Sequence, residues 1–169
     1  MVGRDRCTGV MFAGTTRRSR YAAGFMYESA PAADILLGLG IDPERLAEAM
    51  PRVDPAGVKV RVASPLFRRF WAKGIAAVAL PNGIFVSPTV MERFRSGAEP
   101  DRSGNLIVHE LMHIEQWRRL GPMRHLVQYI GDYLRNRWDG FGHWESYRAI
   151  RIEQEARDVA SSIIGGGPR

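Results

Sequence analysis

Residues 58–62, Val58-Lys59-Val60-Arg61-Val62, alternate apolar and charged side chains, the period of two expected of a half-buried strand. Two further apolar runs, 75–80 and 84–87, flank Pro81-Asn82-Gly83, which has the composition of a hairpin turn. Before this β-rich stretch the signals are helical and short. Ser29 can cap, Pro31 fits a first turn, and Gly38 and Gly40 stop a first helix. Asp42-Pro43 opens a second, with Leu46 and Met50 one turn apart, and Pro51 and Pro55 close the region. Ser87-Pro88 starts another helix through Met91 and Phe94 that ends at Gly97.

After that the pattern is helical only. One helix is expected over 103–120, stopped by Gly121-Pro122. A second covers about 123–138, with Leu126, Ile130 and Leu134 in step, and Asp139-Gly140-Phe141-Gly142 breaks it. A third covers about 144–164, with Ala149, Ile152, Ala156, Val159, Ala160 and Ile163 as its apolar stripe. A small antiparallel or mixed sheet followed by helices is an α+β arrangement.

The length of 169 residues suits one domain, expected over 26–169, large enough to bury a core without disulfides. Residues 1–25, with Thr15-Thr16-Arg17-Arg18-Ser19-Arg20, have no apolar period and read as a poorly ordered, Arg-rich tail. Cys7 is the sole cysteine, which excludes an internal disulfide framework or a Cys-rich zinc knuckle. No apolar run has the length of a membrane span, and no secretory signal is evident, so the expected location is cytoplasmic, with non-classical export as the alternative. The net charge is 24 − 18 = +6, and all but Lys59 and Lys73 of the basic residues are Arg. Pairs such as Arg68-Arg69 and Arg118-Arg119 read as solvated faces, and a nucleic-acid partner is not expected, because no binding motif accompanies the charge.

The chemistry concentrates in His109-Glu110-Leu111-Met112-His113. On a helix, histidines four apart stack on one face, and their ring nitrogens can converge on one Zn²⁺ at about 2.0–2.1 Å. Glu110, offset by about 100° from His109, flanks such an ion and can take a proton from the water it holds. Leu106, Ile107, Val108, Leu111, Met112 and Ile114 surround the motif. A helix apolar on most sides is buried, where two histidines and a glutamate need partners. The competing reading is a core helix with hydrogen-bonded histidines.

A third protein ligand must come from elsewhere. A histidine six residues past His113 is excluded, since that residue is Arg119. The candidates are His125, His143, Glu145, Glu153 and Glu155. Glu153 and Glu155 sit on opposite shoulders of the last helix's stripe, and periodicity barely separates them. His143 reads either as a surface histidine or as a group that binds substrate or stabilises an oxyanion. Gln116 shares the face of both histidines and could orient His113 or line a cleft. Tyr147 could donate to an oxyanion or pack as a core aromatic.

The strings HELMHIEQWRRLG and ESYRAIRIEQEARDVA resemble those of bacterial HExxH zinc metallopeptidase-like domains of the gluzincin kind. Their function is mostly unassigned, and some accompany extracellular contractile injection systems. The resemblance covers roughly 58–164. It implies a zincin-like fold, with an HExxH helix, a supporting helix and a glutamate-bearing last helix. It also implies Glu153, the first glutamate of Glu153-x-Glu155-Ala156, as the third ligand. An Asp commonly found four residues past that ligand is replaced here by Arg157, with Asp158 one residue on, so Glu155 stays an alternative. The implied activity is zinc-dependent hydrolysis of peptide bonds in a peptide or protein substrate, with zinc-bound water as nucleophile and Glu110 as general base. An extended substrate is expected to add to strand 84–87 as a sheet edge. The alternative is a zinc-stabilised structural or binding module of a secreted or phage-like assembly, with little or no peptidase activity.

Overall fold

Val60 is fully buried between exposed Lys59 and half-buried Arg61 in strand β2 (Lys59–Val62), as the alternation requires. The computed structural model describes residues 29–71 and 74–165, and the expected tail over 1–25 lies outside them. Pro81 and Asn82 turn β3 (Ala77–Leu80) into β4 (Gly83–Val86), antiparallel to it. β4 runs parallel to β2, and β1 (Ser29–Pro31) adds to β2 antiparallel. The order β1-β2-β4-β3 makes a mixed four-stranded sheet in an α+β fold. At Gly83 the hairpin presses on β2: with φ +146°, a Cβ there would lie 2.5 Å from the Lys59 carbonyl oxygen.

Two expectations change here. Ser29 and Pro31, read as cap and first turn, form β1 instead, because Ala30 pairs with Val60 far along the chain. Helix α1 (Ala32–Gly38) therefore begins one residue later, with Ala32 donating its amide to Val58. Strand 84–87, expected at the edge, is central, since β4 is flanked by β2 and β3. The edges are β1 and β3.

Helix α2 (Pro43–Ala49) is capped by Asp42 as its sequence implies. Helix α3 (Pro65–Arg68), which has no apolar period to announce it, forms because Ser64 accepts the Phe67 amide ahead of Pro65. Helix α4 (Pro88–Ser96) is capped by Ser87 and stopped by Gly97 in the left-handed conformation.

Helix α5 (Pro100–Leu120) packs against β3 and β4 of the sheet and along the last helix. It starts a turn earlier than 103, because Pro100 occupies its first position and Ser103 bonds back to Ala98 and Glu99. Ile107, Val108, Leu111 and Ile114 are completely buried, packed with Ile84 and Val86 of the sheet. Glu115, also buried, is satisfied by the amide of Arg52 at 2.9 Å and its guanidinium at 3.1 Å.

The expected helix over 144–164 is two helices, α7 (His143–Arg148) and α8 (Arg151–Gly165). The break at Ala149-Ile150 is held by Asp132, which accepts the Arg151 amide at 3.1 Å. α8 packs closely along α5: a Cβ on Gly104 would lie 2.8 Å from Ile164 Cδ1.

Helix α6 (Pro122–Trp138) is laid down with its polar side inward. His125, Gln128, Tyr129, Asp132, Tyr133 and Asn136 are buried or half-buried. The apolar row Leu126, Ile130 and Leu134 points to solvent, with Met123, Val127 and Trp138. Among the described residues no helix is long and apolar enough to cross a membrane.

Candidate metal centre

His109 and His113 lie one turn apart on α5, and their Nε2 atoms are 3.1 Å from each other. Glu153, in the first turn of α8, brings Oε2 to 3.4 Å from His109 Nε2 and Oε1 to 3.5 Å from His113 Nε2. Among the described residues these three bring their ligating atoms together, all within 4.8 Å of one another. Ligand atoms at tetrahedral positions 2.0–2.1 Å from a Zn²⁺ lie roughly 3.3–3.4 Å apart, which is close to the observed spacing. The donor set of two imidazole nitrogens and a carboxylate also suits zinc. Glu153 Oε2 is buried without a hydrogen-bond partner. A buried carboxylate oxygen left so is costly unless a cation meets it.

The tautomer of His113 is set from behind. Its Nδ1 lies 2.8 Å from Gln116 Oε1, which can only accept, so Nδ1 carries the proton and Nε2 presents its lone pair. Gln116 is oriented in turn, donating to the Ile152 carbonyl at 2.8 Å and to Glu155 Oε2 at 2.9 Å. Glu155 is clamped by both terminal nitrogens of Arg119, at 2.8 and 2.7 Å. Arg119, Glu155, Gln116 and His113 thus form one chain of bonds ending at the converging atoms. Glu155 lies outside the triad, and Arg119, expected on a solvated face, is fixed by it.

Burial pushes His113 down to about 4, against the opposing pull of Glu153, so the imidazole is neutral at neutral pH, as a metal ligand must be. Glu110 is buried on the adjacent face of α5. Desolvation raises its carboxyl to about 7, while nearby His109 pulls it back and Glu153 adds to the rise. It also accepts the Ala79 amide of edge strand β3, whose carbonyl takes the Trp117 indole N–H at 3.4 Å. Tyr147 of α7 lies near Glu153 and is pushed far above its ordinary range by burial and by that carboxylate, so it stays protonated.

The remaining candidates are placed elsewhere. His143 is exposed at the start of α7, with Nδ1 2.8 Å from the Tyr133 hydroxyl. Glu145 accepts the Gly142 amide at 3.0 Å. His125 stacks on Trp117 at 3.9 Å and its Nε2 has no partner, but it stands behind His113, their ring centroids 6.3 Å apart. Burial lowers the pKa of His125 and raises that of Tyr129 to about 12, each opposed or reinforced by Glu153. No local pattern marks Tyr129 and Asp132, because the groups that give them a role, Glu153 and Arg151, come from α8. Compared with known proteins, the chain matches no family model, no curated protein and no solved structure.

Proposed function

We propose that the protein is a zinc-dependent, metallopeptidase-like hydrolase in which His109, His113 and Glu153 hold Zn²⁺. The observation that carries this reading is the convergence of those three side chains at tetrahedral spacing, with the Glu110 carboxylate beside them. A Zn²⁺ supplies Lewis acidity there, polarising a scissile carbonyl and lowering the pKa of a water to about 7. Glu110 takes the proton of the attacking water and delivers it to the leaving amine. Gln116 keeps the His113 lone pair aimed inward, and protonated Tyr147 can donate to oxygen at the same place.

One observation favours a second reading, a zinc-stabilised structural or binding module with little peptidase activity. Ala79 spends both edge-facing backbone groups on Glu110 and Trp117, so a strand-like substrate could not pair there without displacing them. The experiment is metal content and peptidase activity of wild type beside Glu110→Gln. The hydrolase reading expects about one zinc in each, with activity falling roughly 10²- to 10⁴-fold in the variant. Equal cleavage by both would sink it, and zinc without cleavage in either favours the module.

A further inference from the structure

Helix α6 is amphipathic with its sides reversed. Projected at about 100° per residue, Leu126, Ile130, Met123, Leu134, Val127 and Trp138 fall within an arc of about 120°. That arc is exposed, from 46% for Ile130 to 92% for Trp138. The opposite arc carries the polar residues: the His125 ring stands 6.3 Å from that of His113, while Asp132, Tyr133 and Asn136 bond to Arg151, His143 and Ser146. A soluble domain normally does the reverse, and a contiguous apolar face of this kind marks a surface that is covered in use. Phe141 and Trp144, which follow α6 in the chain, are exposed as well.

One border of the apolar arc is basic. Arg124 and Arg135 flank it there, and exposed Arg137 falls within the arc near its C-terminal end, where it donates to the Phe141 carbonyl at 2.7 Å and is followed by exposed Asp139. Between α6 and the start of α8, a shallow hollow of about 550 Å³ is lined by Arg124, Gln128, Asp132, Arg135 and Arg151. Asp132 is already neutralised by the two-pronged guanidinium of Arg151, at 3.0 Å from each of two nitrogens. Arg135 also acts on Asp132 through its charge, and three arginines against one aspartate leave the hollow net basic toward an anion.

We propose that α6 docks on a membrane surface containing anionic lipid, its apolar ridge lying in the interface and its arginines on the headgroups. A helix with a large apolar face, a basic border and Trp at its end has the makeup of an interfacial helix. The hollow gives a lipid phosphate a basic seat beside the ridge. A second copy of this chain is disfavoured, because pairing the ridges would bring two arginine rows together on molecules of net charge +6 each. Docking would lay the outer side of the helix on lipid and leave His125, its ring 6.3 Å from that of His113, on the inner side.

The test is co-sedimentation of the full chain with vesicles of phosphatidylcholine alone and with about one-third phosphatidylserine. Binding is expected to the anionic vesicles and to weaken sharply from about 0.1 M to about 1 M salt, as the Debye length falls to about 3 Å. Ile130→Asp/Leu134→Asp should abolish it. Arg124→Gln/Arg135→Gln should weaken it roughly 25-fold, about fivefold for each charge near the surface. Both pairs are exposed, and circular dichroism checks folding; if the aspartates perturb it, Ile130→Gln/Leu134→Gln replaces them. Failure to bind either vesicle overturns the proposal. So does binding that persists in the Ile130/Leu134 variant, which would place it on arginines elsewhere in the chain. A concentration-dependent dimer in lipid-free solution that the same variant dissolves would assign the ridge to a second copy instead.

Discussion

Gln116 Oε1 stands 2.8 Å from His113 Nδ1, and that single contact decides which nitrogen of the histidine faces the centre. Its other end is fixed by the Ile152 carbonyl and Glu155, so the amide cannot flip without losing both bonds. Partners behind a metal-binding histidine are typically worth about 10- to 100-fold in affinity. Gln116→Ala should weaken zinc binding by that amount, read by competition with a chelator of known affinity. A competition curve overlapping that of wild type would mean that His113 keeps its tautomer without Gln116.

Glu153 and Glu155 are two apart on α8 and point to different places, one at the histidines and the other at Arg119. Glu153→Ala is expected to lose zinc on dialysis against a mild chelator. Glu155→Ala should retain it, with a loss smaller than that of Gln116→Ala, since Gln116 keeps its bond to Ile152. His143→Ala should retain it fully, because His143 is engaged with Tyr133 on the surface. Zinc kept in Glu153→Ala and lost in Glu155→Ala would move the ligand by two residues and require α8 to rotate.

The motif on α5 was legible because its spacing is local: residues four apart on a helix must share a face. The choice of Glu153 leaned on resemblance, since the two glutamates flank one stripe and only the packing of α8 on α5 separates them. The features that no local pattern carries depend on distant partners. β1 exists through Ala30 meeting Val60, and the α7/α8 break is held by Asp132 from another helix. The period of Leu126, Ile130 and Leu134 correctly located an apolar face of α6. It could not say that the face would look outward, because periodicity defines a stripe and not the side on which the core lies. The Arg119–Glu155 pair was hidden for a similar reason, a charge on one helix meeting one on another.

Gly83 should tolerate no side chain. Its φ of +146° disfavours an L-residue, and the new Cβ would lie 2.5 Å from the backbone oxygen of Lys59, which the β2–β4 pairing holds in place. Gly83→Ala is expected to cost about 1–3 kcal/mol. For a domain of this size 1 kcal/mol corresponds to roughly 2–4 °C, so the melting temperature should fall by several degrees. Gly131→Ala is the control, because a Cβ there meets nothing within 4 Å, and helix propensity alone should leave it neutral or slightly stabilised. An unchanged melting temperature in Gly83→Ala would show that the hairpin can shift away from β2.

Asp132 joins α6 to the first turn of α8, accepting both the amide and the guanidinium of Arg151 two residues ahead of Glu153. Burial alone would raise its carboxyl, but the bonds and charge of Arg151 outweigh burial and hold it below the ordinary 3.8. A carboxylate whose folded pKa is depressed stabilises the fold above the unfolded value and loses that contribution as pH falls through the folded one. Asp132→Ala removes both the cap and the ion pair and should cost about 1–2 kcal/mol at neutral pH. The gap in stability between wild type and variant should be constant from neutral pH down to about 4 and then narrow as the wild-type carboxylate is protonated. Urea unfolding of both proteins across that range measures it. A gap that stays constant below pH 4 would mean that the charge of Asp132 contributes nothing and that only its shape holds the junction. Because α8 carries Glu153 into the centre from this junction, the same variant should also bind zinc more weakly at neutral pH, while the Arg151 side chain is left free in solvent.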